Sequence, residues 1–98
     1  MTTQTKNQVK PFFALGRTLA TPGALDVLNN LSLSPTALLS RHQRGDWGEL
    51  DSEDKLTNNK ALTNGGRIFS AYRFDTVKFW VITEADRSAT TILLPEEY

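Results

Sequence analysis

The spacing of apolar positions changes character near residue 66. Before that point apolar residues recur every three or four positions, as on helices; after it they alternate with polar ones, as on half-buried strands. Thr21-Pro22-Gly23-Ala24-Leu25 predicts a helix start. Thr21 supplies a cap oxygen, and Pro22 suits the first turn because its missing N–H would have no partner there. Leu25, Val27 and Leu28 form the apolar stripe, and Asn29-Asn30 ends it. Ser34-Pro35 starts a second helix, with Leu38 and Leu39 on its buried side and Gly45 as a left-handed stop. Arg41, His42 and Arg44 fall in its last turn, where cations complement the helix dipole. Asp51 or Ser52 caps a third helix reaching about Thr63. Leu56, Ala61 and Leu62 are expected on its inner side, although Thr57-Asn58-Asn59 lowers its propensity; Asn64-Gly65-Gly66 is its stop.

Residues 67–74 alternate, placing Ile68, Ser70, Tyr72 and Phe74 on one face and Arg67, Phe69, Ala71 and Arg73 on the other. Asp75-Thr76 is a two-residue turn without the glycine such turns prefer. Residues 77–83 are rich in β-branched and aromatic side chains, residues 84–89 form a polar link, and Thr90–Leu94 is a third strand closed by Pro95. Helices followed by strands predict an α+β fold: about three helices packed on one face of a three-stranded antiparallel meander. Phe12–Leu19 reads as a short strand or extended segment that could cover the meander's edge. An edge left open would instead invite a second copy, making a homodimer. Residues 1–10 are polar and aperiodic, a tail before a single domain over residues 11–98.

Composition narrows the classes. Eleven Lys and Arg balance eleven Asp and Glu in 98 residues, which excludes a basic nucleic-acid-coating protein and an acidic disordered tail. The charges are unevenly placed: residues 1–44 hold five basic and one acidic residue, whereas residues 45–66 hold five acidic and two basic ones. The absence of cysteine excludes disulfide frameworks and thiol nucleophiles and favours a reducing compartment such as the bacterial cytoplasm. The N-terminus has no signal-peptide apolar region, and unbroken apolar runs of three or four residues are too short to span a bilayer.

Three stretches carry a resemblance: Leu19-Ala20-Thr21-Pro22-Gly23-Ala24-Leu25, Arg41-His42-Gln43-Arg44-Gly45-Asp46-Trp47-Gly48, and Ile82-Thr83-Glu84-Ala85-Asp86-Arg87-Ser88 running on to Pro95-Glu96-Glu97-Tyr98. Together, over roughly residues 12–98, they resemble a family of small bacterial proteins carried on plasmids and other mobile elements. Some of its members bear the label of type I restriction-methylation subunits. This chain is too short for a methyltransferase domain, and no glycine-rich loop follows an early strand to hold a methyl-donor cofactor. The resemblance assigns no catalytic residue. It implies a part in element maintenance or in countering host defence.

Several side chains invite a chemical reading. His42, the one histidine, stands four residues before Asp46; the two could form an acid–base pair, or a contact that fixes the turn. One histidine with scattered carboxylates lacks the spacing of a metal site. Asp46-Trp47-Gly48 offers either a Trp plug between helices and sheet or an exposed aromatic contact, with Gly48 at positive φ. Glu84, Asp86 and Arg87 form either a binding loop or a self-satisfied turn with Arg87 paired to a carboxylate. His42, Arg73, Glu84 and Arg87, with Arg67, could serve a metal-free ribonuclease, base and phosphate-holding arginines together. Arg67 and Arg73 lie about 20 Å apart along a strand, too far for one phosphate. Ser70 would need His42 as its base, and no nucleophile elbow surrounds it. The expectation is a non-enzymatic interaction protein without cofactor, its partner a protein and its binding residues Asp46, Trp47, Glu84, Asp86 and Arg87. The ribonuclease or toxin is the alternative. Nucleic-acid binding through Lys6, Lys10, Arg17, Arg41 and Arg44 is disfavoured by zero net charge.

Overall fold

The structure, a computed structural model, describes residues 11–98; the tail expected over residues 1–10, with Lys6 and Lys10, lies outside them. Chain order is β1 (Arg17–Ala20), α1 (Pro22–Asn30), α2 (Pro35–Gln43), α3 (Ser52–Asn64), β2 (Ile68–Phe74), β3 (Val77–Thr83) and β4 (Ala89–Leu93), then a 3-10 turn over Pro95–Glu97. The helix starts follow from local chemistry. Thr21 Oγ1 accepts from Ala24 N at 3.2 Å, Ser34 Oγ from Thr36 N at 3.2 Å and Asp51 Oδ1 from Asp54 N at 2.8 Å. Each oxygen takes up one of the N–H groups that a first turn leaves unpaired. The α3 helix stops at Gly65, whose φ is 83°. Asp75 closes the β2–β3 turn at φ 59°, a conformation aspartate tolerates better than most residues.

The fold is α+β, but the sheet is not a three-stranded meander. It has four strands in the order β1-β4-β3-β2. The β2–β3 and β3–β4 pairs are antiparallel, and β1 lies parallel to β4, with Arg17 opposite Ala89 and Ala20 opposite Ile92. The added strand is shorter and later than the segment from residue 12 to 19. Gly16, at φ 66°, bends the chain so tightly against Ser88 that a Cβ there would lie 2.4 Å from the Ser88 carbonyl. Residues before the bend turn toward α2, where Phe12 N donates to Gln43 O at 2.8 Å.

Alternation along the strands decides which face is buried. Ile68, Ser70, Tyr72, Phe79, Val81, Thr83, Thr90 and Ile92 point to the helices and are all 1 % exposed or less. Ala24 and Leu28 of α1 and Leu38 of α2 pack on this face, and Trp47, Ala61 and Ile68 form a second cluster. The inner side expected for α3 needs correction. Leu56 is exposed, whereas Asn58 is buried. The reason is that α3 runs beside the free edge of β2, where an amide is worth more than an alkyl group. Asn58 Nδ2 donates to Phe69 O at 2.6 Å, and Phe69 N donates to Asn58 Oδ1 at 3.1 Å. Two residues on, Ala71 N donates to Trp47 O and Glu49 N to Ala71 O, at 3.1 and 2.7 Å. The edge is thereby closed against further pairing.

Candidate functional site

Each polar residue singled out in the sequence has a structural partner or lies apart from the rest. His42 sits at the end of α2 beneath the sheet with no exposure. Its Nδ1 is 2.6 Å from Ser70 Oγ, and its Nε2 is 2.9 Å from Thr83 Oγ1. Thr83 Oγ1 is 2.7 Å from Thr90 Oγ1, which donates to Leu15 O at 2.8 Å. That last bond orients the whole chain. The Thr90 proton is committed to Leu15, so Thr90 accepts from Thr83; Thr83 then accepts from His42 Nε2–H, and Nδ1 accepts from Ser70. Burial pushes the His42 pKa from 6.5 to about 3, so the ring is neutral. The geometry supplies a base beside Ser70, but no substrate carbonyl can reach a pair sealed under a sheet. His42 does not bond Asp46, because the helix ends between them and the ring turns inward.

Asp46 instead pairs with Arg41 at 2.7 Å and accepts from Gly48 N at 3.2 Å. The Arg41 guanidinium holds its carboxyl below the usual aspartate range. Trp47 is a plug: it is 5 % exposed, its Nε1 donates to Asn59 Oδ1 at 3.1 Å, and its ring lies 6.0 Å from His42 and 6.3 Å from Phe13. It offers nothing to a partner, which corrects its place among the binding residues. Gly48 takes φ 75°, and a Cβ there would lie 1.9 Å from Ala71 O, so the loop reaches β2 only as glycine.

The 84–88 link closes on itself, but not as expected. Asp86 Oδ1 accepts from Ser88 N at 3.0 Å, and this with the Ser88 side chain lowers the Asp86 pKa. Arg87 makes no ion pair with Glu84 or Asp86. Its guanidinium donates to the carbonyls of Gly66, Ala61, Glu84 and Ala85 at 2.7, 3.0, 3.1 and 3.1 Å, tying the link to the end of α3. Arg73 bonds Glu49 at 3.1 Å. The set His42, Arg73, Glu84 and Arg87 does not converge. His42 is buried, Arg87 is spent on carbonyls, and Arg73 lies opposite Lys78, about 20 Å along β3 from Glu84.

What the sequence reading passed over is the aromatic cluster on the other face of the sheet. There Phe69, Trp80 and Tyr98 form a continuous run of rings, with centroids 5.1 Å apart for Phe69–Trp80 and 5.6 Å for Trp80–Tyr98. Arg67 donates to Tyr98 Oη at 2.7 Å and lies 5.6 Å from its ring centroid. These four residues, with Ile82 and with Asp54, Thr57 and Asn58 of α3, line a groove of about 330 Å³. A signal was present: on β3 the outward positions between Val77, Phe79 and Val81 are Lys78, Trp80 and Ile82, an odd choice for a plain solvated face. Among the described residues no cluster of three His, Asp or Glu side chains is placed to hold a metal, and no helix is long and apolar enough to cross a membrane. No protein-family model, curated protein or solved structure matches the chain.

Proposed function

We propose that this chain is a non-enzymatic interaction module whose working surface is the open face of its sheet. The observation that carries this reading is the groove rimmed by Phe69, Trp80, Tyr98 and Arg67, on the side of the sheet opposite the packed core. Partly exposed rings beside an arginine are the composition of binding hot spots. The polar groups that could have served chemistry are instead spent on caps, edges and buried hydrogen bonds. The resemblance to mobile-element proteins is the ground for a cytoplasmic role in element maintenance or in countering host defence.

Photo-crosslinking tests the surface. A photoreactive residue replacing Thr91, on the outer face beside Ile82, is expected to give a discrete adduct in the expressing cell. The same residue at Thr36, exposed on α2, is expected to give none. Equal adducts from both sites, or none from Thr91, would remove the reading.

A further inference from the structure

The open face sorts its chemistry into two kinds. Its aliphatic side chains are already covered, since Ile82 and Leu93 are 5 % and 6 % exposed. What remains accessible is aromatic and cationic. Phe69 and Trp80 are partly exposed, Tyr98 is 70 % exposed, and the cations sit at both ends of the aromatic band. Arg73 and its cross-strand partner Lys78 occupy one end, and Arg67 the other. Rings flanked by cations match a chain that presents planar bases and phosphates.

We propose that the ligand of this face is single-stranded nucleic acid, with bases stacked on Trp80, Phe69 and Tyr98 and phosphates held by Arg67 and by the Arg73–Lys78 pair. The proposal rests on the open face being the binding surface. Zero net charge over the whole chain does not oppose it, because the field that a bound strand meets is local. The span from Lys78 to the level of Arg67 is about 20 Å, enough for a few nucleotides rather than a long tract. Two carboxylates border the path. Glu49 is engaged by Arg73, and Asp54 lines the α3 wall of the groove that Arg67 also lines.

The two tryptophans make the test direct, because Trp47 is buried in the core and Trp80 is not. Titration of the full chain with oligouridylate, oligoadenylate and oligothymidylate 12-mers is expected to quench Trp80 fluorescence, since stacked bases quench indole. A duplex of equal length, whose bases are already stacked in pairs, is expected to bind at least tenfold more weakly. With three phosphates contacted, affinity is expected to fall about twentyfold between 50 and 200 mM salt. Arg67→Glu and Lys78→Glu are expected to weaken binding at least tenfold each without shifting the thermal midpoint, and Asp54→Asn to tighten it. Trp80→Leu is expected to abolish the quench and the binding, with the circular dichroism spectrum retained. No quench with any 12-mer, or an affinity indifferent to salt, would overturn the proposal. In that case a protein adduct at the Thr91 crosslinking position would leave the open-face reading standing with a different ligand, and no adduct would remove both.

Discussion

His42 shows how one side chain links folding to proton concentration. Its folded pKa near 3 lies below the 6.5 of an exposed imidazole, so between these values the unfolded chain binds a proton that the folded one does not. Stability therefore rises with pH through that window. It is complete above about pH 6.5 and is lost progressively as pH falls toward 3. At pH 5 the loss amounts to about 2 kcal/mol. The carboxyls of Asp46, Asp86 and Glu97, whose pKa values are lowered, add their losses only below the ordinary carboxylate range. Urea unfolding at pH 7 and pH 5 thus isolates the histidine. His42→Gln is expected to be less stable than the parent at pH 7 but to lose little between pH 7 and 5; a parent-like slope in the variant would contradict the assignment. Gly48 is the second sensitive residue. Gly48→Ala places a methyl group 1.9 Å from Ala71 O at φ 75° and is expected to cost about 3 kcal/mol, seen as a drop of more than 10 °C in thermal midpoint.

The elements are held at their ends and edges by side chains acting on backbone. Asn58 pairs with both backbone groups of Phe69, so Asn58→Ala is expected to leave a donor and an acceptor unsatisfied and to cost about 2–3 kcal/mol. The Phe69 amide should then exchange its hydrogen far faster, and an unchanged rate would show that the edge is protected some other way. Arg87→Lys is expected to cost about 1–2 kcal/mol, measured by chemical denaturation, because a single ammonium cannot reach both the end of α3 and the link. These cases also show what was readable beforehand. The caps at Thr21 and Ser34 were legible, and the third to within Asp51 or Ser52, because a cap is made within three residues of its helix. The alternation from Ile68 to Phe74 was legible because burial on one face imposes it. The buried side of α3 was not, since counting apolar residues presumes a helix lying on a sheet, and this one lies beside an edge. Nor was the aromatic groove: Tyr98 meets Arg67 across thirty-one positions of chain, a proximity that topology alone creates.

Over the whole molecule, contacts divide by the length of chain they close. The β2–β3 hairpin needs only the two-residue turn at Asp75-Thr76, and β3–β4 only the link through Arg87. The β1–β4 pair joins residues about seventy positions apart. Three further bonds depend on that closure: Thr90 to Leu15, and the Glu97 carboxylate to Thr21 and to Gly23 N at the start of α1. Closing so long a loop costs entropy before these contacts can repay it, whereas the hairpins close cheaply. The β2-β3-β4 sheet with α2 seated on Phe79 and Val81 is therefore expected to form in the folding transition state, and β1 to dock afterwards. Stopped-flow kinetics checks the order. Val81→Ala, deep in the core, is expected to slow folding, with more than half of its destabilisation appearing in the folding rate. Ala20→Gly on β1 is expected to act almost wholly by speeding unfolding. A large folding-rate effect at Ala20 would mean that the parallel pair forms early, and that the turn toward α2 at Gly16 is in place before the hairpins rather than after them.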